Sequence, residues 1–276
     1  MPFVKPSPTP RHSFVLDGPS GSGKTFQFAQ LESEGFVGAY ATIEQKSGTI
    51  AHLLNEYNNF VIKNPFFPLN KAEKADKTKP SDLIVLYDLL RGKDHPFDFL
   101  FLDSGMFYST AVKNMLVEAG LSGRDLWGAF ADRMEKFLEV TASLVSPIHP
   151  KPVDVFVTWG VEKDKSWDGK LTTQPLMDGA RTKPRLPYYF DNVFYLESRL
   201  RAEDGLKEWV LHTQGTEGFD AKVSAPPGTL PPVIVNPNMG KILKTLHTSP
   251  PPAESMKDQH IGHLNAVDTE KETPNG

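Results

Sequence analysis

Residues 18–25 read GPSGSGKT and fit the pattern G-x-x-x-x-G-K-[ST]. Gly18, Gly21 and Gly23 let the backbone turn its N–H groups inward around an anion. Pro19, Ser20 and Ser22 complete the loop. Lys24 would carry its ammonium to the β- and γ-phosphates of a nucleoside triphosphate, and the Thr25 hydroxyl would ligate Mg²⁺. A helix following directly would aim its positive end at the same anion. A strand before the loop and a helix after it make this signal specific.

Two acids are candidates to complete that chemistry. Asp103 ends the apolar run FLFLDS at residues 99–104. In phosphate-loop proteins such an aspartate holds Mg²⁺ beside the loop threonine. An aspartate at a strand end also caps ordinary turns, and it is the phosphate loop upstream that favours the metal role. Glu44 follows the strand-like residues 39–43. Its carboxylate would face the γ-phosphate at the carboxyl edge of an open α/β sheet and orient or deprotonate the attacking water. It is equally a solvated strand-end glutamate, and the residues alone leave both readings open.

The elements that must position these groups alternate between strand and helix patterns, which predicts an α/β domain with a mostly parallel sheet flanked by helices. Phe14, Val15 and Leu16 form a strand entering the glycine loop. Residues 25–33 read as helix with a stop near Gly35, and residues 37–43 as strand. Ser81 caps a helix over residues 81–90. Residues 97–102 and 153–158 are buried strands, and residues 126–145 a long helix. Residues 193–196 and 209–213 are later strands joined through a turn at Asp204 and Gly205. Residues 1–12 read as a flexible arm, 13–246 as the folded domain and 247–276 as a disordered tail, polar and proline-containing.

Composition narrows the class. The chain has 276 residues, net charge −4 and no cysteine. Disulfides and thiolate metal sites are thereby excluded, and no global positive field draws the chain to nucleic acid. The start is proline-rich without an apolar run, so no signal peptide is expected. No stretch approaches the ~18 apolar residues of a membrane helix. The expectation is a cytoplasmic protein with no membrane partner. His149, His212, His247, His260 and His263 show no metal-ligand spacing.

The order of these pieces resembles the RecA-like ATPases: a phosphate loop and helix, a strand leading to a glutamate, then an apolar strand ending in Asp-Ser. The nearer resemblance is to the phage branch, P-loop proteins related to single-strand annealing recombinases. VFVTWGVE at residues 155–162 resembles the strand that ends in a polar sensor residue. PLMDG at 175–179, then Leu186, Pro187 and the run FDNVFY at 190–195, resemble the family's next stretch of chain. GFDAK at 218–222 resembles the segment that carries a lysine in that branch. The resemblance implies ATP and Mg²⁺ as cofactors, Lys24 and Glu44 as catalytic residues, and Thr25 and Asp103 as metal ligands. It further implies a homo-oligomer in which Lys222 reaches a neighbour's nucleotide. Two departures stand out: Thr158 and Trp159 occupy the sensor position where the family often has Gln or His, and no arginine stands two residues after Lys222.

Single-stranded DNA is the partner the resemblance implies, with a single-strand-binding protein as a further one. Residues 160–185 form a long polar segment with Lys163, Lys165, Lys170, Arg181, Lys183, Arg185 and Trp167. Cations following phosphates and an aromatic ring stacking on bases are what such binding uses. Glu162, Asp164, Asp168 and Asp178 dilute the charge, and a solvated loop is the competing reading. A second basic run holds Lys71, Lys74, Lys77 and Lys79 and reads as a solvated loop. The aromatic residues Phe97, Phe99, Phe101, Phe107 and Tyr108 read as core.

The function expected is therefore an ATP-hydrolysing RecA-like phage protein acting on single-stranded DNA in recombination or annealing. A small-molecule or nucleotide kinase shares the phosphate loop, with Arg181 and Arg185 available for a lid. A non-catalytic assembly module that keeps nucleotide as a structural ligand is the third reading.

Overall fold

A computed structural model of the chain describes residues 9–43, 48–54, 56–63, 65, 81–165, 171–179 and 181–249. Outside them lie Glu44, Trp167, Lys170, the lysine run at 71–79, residues 1–8 of the expected arm and residues 250–276 of the expected tail.

The chain opens with β1 (Ser13–Asp17), wholly buried, which runs into the glycine loop and α1 (Phe26–Ser33). Then come β2 (Gly38–Thr42), α2 (Gly48–Leu53), β3 (Asn58–Val61) and α3 (Asp82–Arg91). Ser81 caps α3 as expected, its side chain accepting from the Ile84 amide at 3.4 Å. β4 (Phe99–Asp103) is followed by α4 (Gly105–Glu118) and α5 (Gly123–Ala142), and the latter tightens into a 3₁₀ turn at Ser143–Val145. β5 (Asp154–Trp159) leads to β6 (Val161–Lys165) and β7 (Leu171–Pro175). The short α6 (Leu186–Tyr189) precedes β8 (Asn192–Leu200), β9 (Lys207–His212), β10 (Val233–Val235) and α7 (Met239–Thr248).

Among the described residues the central sheet has the order β10-β9-β8-β1-β5-β4-β2-β3. It is parallel from β8 to β3, β9 adds antiparallel to β8, and β10 antiparallel to β9. Strand residues alternate between the two faces. Phe14, Leu16, Tyr40, Phe99, Phe101 and Phe156 pack on one side with Phe28 and Leu31 of α1 and Met239, Leu243 and Leu246 of α7. Val15, Leu100, Leu102, Val155 and Val157 pack on the other with Tyr87 of α3, Tyr108 of α4 and Phe137 of α5. The fold is α/β, with a mostly parallel sheet flanked by helices on both faces. No helix of the described residues is long and apolar enough to cross a membrane.

Three local expectations change. The segment after β5 is not an irregular loop: β6 and β7 pair as a two-stranded antiparallel ribbon of their own. Polar residues at most of its positions hide the alternation that marks a strand. Residues 11 and 12 are not a free arm. Arg11 Nη1 donates to Asp154 Oδ2 at 2.8 Å, and the His12 amide donates to Asp154 Oδ1 at 2.7 Å. His247 and Thr248, placed in the tail by sequence, belong to α7, and His247 Nε2 lies 3.1 Å from Asp154 Oδ2. A fully buried Asp154 gathers partners because an isolated buried carboxylate is unfavourable.

Candidate nucleotide site

Parallel strands deliver their carboxyl ends to one edge, and there the candidate residues meet. Asp17 pairs with Trp159 across β1 and β5, while Thr42 pairs with Asp103 across β2 and β4. Asp103 continues the Phe99 and Phe101 face of β4, and Thr158 continues the Phe156 face of β5. Both therefore turn toward α1, whose start carries Lys24 and Thr25.

A cleft of about 550 Å³ opens there, lined by the loop residues 20–25, by Asp103 and Thr158, and by Met106, Phe107, Leu176 and Trp209 among others. Phe107 thus stands at the cleft rather than in the core, where sequence placed it with its buried neighbours Phe99, Phe101 and Tyr108.

Asp103 is the hub. Its Oδ2 accepts from Thr25 Oγ1 at 2.8 Å and from Tyr40 Oη at 2.8 Å, and its Oδ1 accepts from Thr158 Oγ1 at 2.6 Å. Three hydroxyl donors stabilise a carboxylate that is only 7% exposed. Burial, together with the Asp103 charge and its hydrogen bond, keeps the Tyr40 phenol protonated by raising its pKa. Thr158 is thus engaged with Asp103. Trp159 faces the other way, fully buried, with Nε1 donating to Leu176 O at 3.0 Å.

The loop is built for close approach. A Cβ on Gly18 would lie 2.1 Å from Leu196 O, and Gly23 adopts φ +88°, where a side chain is strained. Lys24 Nζ donates to Gly18 O at 2.6 Å and to Pro19 O at 2.8 Å. A second cation, Lys207, is pinned at the loop by donating to Gly21 O at 2.9 Å. Sequence reading missed Tyr40, Lys207 and Trp209, which no local motif marks.

Beneath the loop sits Asp17, 5% exposed, with Oδ1 buried and unpartnered among the described residues. Burial pushes its carboxyl up to about 8; the Lys24 ammonium pulls it down and Asp220 adds to the rise. Burial thus favours the protonated form of the Asp17 carboxyl.

The donor set fits a hard cation: oxygen atoms from Thr25 and Asp103, with room left for phosphate and water oxygens. Among the described residues no group of three or more His, Cys, Asp or Glu could hold a metal by itself.

Three of the cations expected to meet DNA have protein partners. Arg181 pairs with Asp132 at 3.4 Å and Glu135 at 3.1 Å, and Arg185 pairs with Glu135 at 3.1 Å. Lys183 pairs with Glu162 and, at 3.8 Å, with Asp164. Lys163 is exposed on β6, and Lys165 ends that strand. Lys222 is exposed, its backbone held by paired hydrogen bonds to Val193 at 2.8 and 2.9 Å.

No family model and no curated protein matches the chain. Among solved structures, a RadB recombinase is similar over 74% of this chain and 81% of its own, at 20% identity and a TM-score of 0.37. The flagellar accessory protein FlaH from Methanocaldococcus jannaschii is similar over 82% of this chain and 85% of its own, at 12% identity and a TM-score of 0.36.

Proposed function

We propose that this chain is a Mg²⁺-dependent, RecA-like ATPase that acts on single-stranded DNA. The observation that carries the nucleotide reading is the meeting of Thr25 and Asp103 at 2.8 Å beside the glycine loop. Those two residues would hold the Mg²⁺ of a bound nucleotide. Bound there, the ion would neutralise charge building on the transferring phosphoryl group.

The chain's own residues do the rest. The loop amides and Lys24 bind the phosphates, and Lys24 exchanges its contacts to Gly18 O and Pro19 O for phosphate oxygens. Thr158 and Tyr40 orient the Asp103 carboxylate. Glu44, two residues beyond the end of β2, is assigned the task of orienting water. Burial favours the protonated Asp17 carboxyl, which lessens negative charge beneath the loop.

The DNA part rests on the sequence resemblance and on the place of the β6–β7 ribbon. Gly160, Val161 and Leu176 at its root line the same cleft as the phosphate loop, so nucleotide and ribbon share a wall. Lys163 and Lys165 of β6, together with Trp167 and Lys170, are the residues assigned to DNA, and recombination or annealing in phage replication is the setting the resemblance supplies. A homo-oligomer using Lys222 in trans belongs to the same reading. The kinase reading has less support, since Arg181 and Arg185 are held on α5 by Asp132 and Glu135.

The test is ATP hydrolysis measured with single-stranded DNA, with duplex DNA and with neither. Stimulation by single strands is expected. Turnover indifferent to DNA would remove the DNA part, and phosphate transfer to a nucleoside monophosphate would replace it with the kinase.

A further inference from the structure

One strand far from the loop in sequence, β9, lies against it in the fold. Leu200 pairs with Lys207, Ser198 with Trp209 and Leu196 with Leu211, and alternation puts residues 207, 209 and 211 on one side of the strand. Leu211 belongs to the core shared with α1, so Lys207 and Trp209 face the loop side as well. Each meets one glycine of the loop that has positive φ. A Cβ on Gly23, at φ +88°, would stand 3.2 Å from the Trp209 ring, and one on Gly21, at φ +74°, would stand 3.6 Å from Lys207 Nζ.

Lys207 is placed at the loop without being neutralised. Its ammonium donates to Gly21 O at 2.9 Å, and Gly21 itself lines the cleft. The adjacent Glu208 is paired with Arg199 at 2.6 Å, and Asp204 of the hairpin turn with Arg201 at 2.6 Å. Among the described residues the Lys207 ammonium therefore has a carbonyl for a partner and no carboxylate. The residue is exposed, so packing does not confine its side chain. An ammonium gains more beside a full negative charge than beside a carbonyl dipole. Lysine carries that charge on a flexible four-carbon stem, which suits it to leave one oxygen for another nearby.

We infer that Lys207 is a second phosphate-binding cation of the cleft, supplied by the same chain as the loop, whose ammonium leaves Gly21 O for a phosphate oxygen when nucleotide binds. This rests on the nucleotide reading and adds a binding residue that lies outside the loop motif, 183 residues beyond Lys24 in the sequence. Lys24 and Lys207 then approach the phosphates from two elements, α1's start and β9. The exchange costs Gly21 O little, since the carbonyl lies in an exposed contact open to water.

Calorimetric titration of the full chain with Mg²⁺–ATP and, separately, with Mg²⁺–tripolyphosphate tests it. Lys207→Ala is expected to weaken both ligands alike, about tenfold or more, as for loss of one hydrogen bond to a charged group. Two further variants separate charge from a mere tether on the loop. Lys207→Gln keeps a donor that can reach Gly21 O but removes the charge, and is expected to bind as weakly as Lys207→Ala. Lys207→Arg keeps the charge and is expected to restore most of the affinity for both ligands. Wild-type affinity in Lys207→Ala or in Lys207→Gln would overturn the assignment while leaving the phosphate loop intact. So would weakening of ATP with tripolyphosphate unchanged, since Lys207 would then touch the nucleoside. A wild-type chain that binds neither ligand would overturn the nucleotide reading and this inference with it.

Discussion

The Thr25 hydroxyl donates to the Asp103 carboxylate at 2.8 Å across a separation of 78 residues. In one contact it joins the end of the phosphate loop to the end of an inner strand of the sheet. It brings two side-chain oxygen atoms together beside the glycine loop.

Lys24→Ala should abolish ATP-dependent turnover with little loss of stability. The ammonium donates to Gly18 O, Pro19 O and Ser22 Oγ of its own loop, and Lys24 belongs to neither hydrophobic core. Comparing thermal unfolding with ATPase rate checks this; turnover at the wild-type rate would refute the loop assignment.

Thr158→Val removes one of three hydroxyl donors to Asp103 while keeping the strand and the side-chain volume. Loss of an oriented partner of a metal ligand typically weakens metal affinity about 10- to 100-fold. The Mg²⁺ concentration at half-maximal turnover should rise accordingly, with a smaller change at saturating Mg²⁺. An unshifted Mg²⁺ titration would reduce Thr158 to a packing residue.

Glu44→Gln should keep ATP binding and slow hydrolysis on the order of 10²-fold or more, as for loss of a general base. Single-turnover hydrolysis beside equilibrium binding separates the two steps. Unchanged turnover would return Glu44 to a solvated strand-end residue.

Asp17 predicts a pH dependence. Its folded-state pKa is raised from 3.8 to about 8, chiefly by burial. The native state therefore keeps a proton that the unfolded chain releases. The contribution to stability is full below the unfolded value and is lost as pH rises from about 4 through about 8. Asp17→Asn should remove that slope, so its melting temperature relative to wild type should climb between pH 6 and pH 9. A constant difference across that range would show that Asp17 does not titrate there.

The DNA assignment is tested through Lys163 of β6 and Trp167. The double variant Lys163→Ala, Trp167→Ala should bind a single-stranded oligonucleotide about tenfold or more weakly, the scale of one lost stacked base. It should also show a shallower salt dependence from the lost phosphate contact. Binding equal to wild type would take the ribbon out of the DNA site.

The phosphate loop, the acid at Asp103 and most strands and helices were legible in the sequence because each is a local pattern. Glycine spacing, a capping serine at Ser81 and continuous apolar runs act over a few residues. The β6–β7 ribbon was not legible, since VEKDK offers no apolar alternation and its pairing comes from the partner strand. Nor was the company that Asp103 keeps. Thr158 reaches it because β5 lies beside β4, and Tyr40 because β2 flanks β4 on the other side in matching register. Trp209 reaches the loop because β9 doubles back antiparallel on β8. Asp17 reads as an ordinary acid until β5 and β8 close on either side of β1 and the loop covers it. Strand order and register are set by long-range burial of both sheet faces, and no local window of sequence contains them. The sequence by itself marked the glycine loop and the acid at Asp103; the sheet order decided which side chains surround them and that Trp209 lines the same cleft.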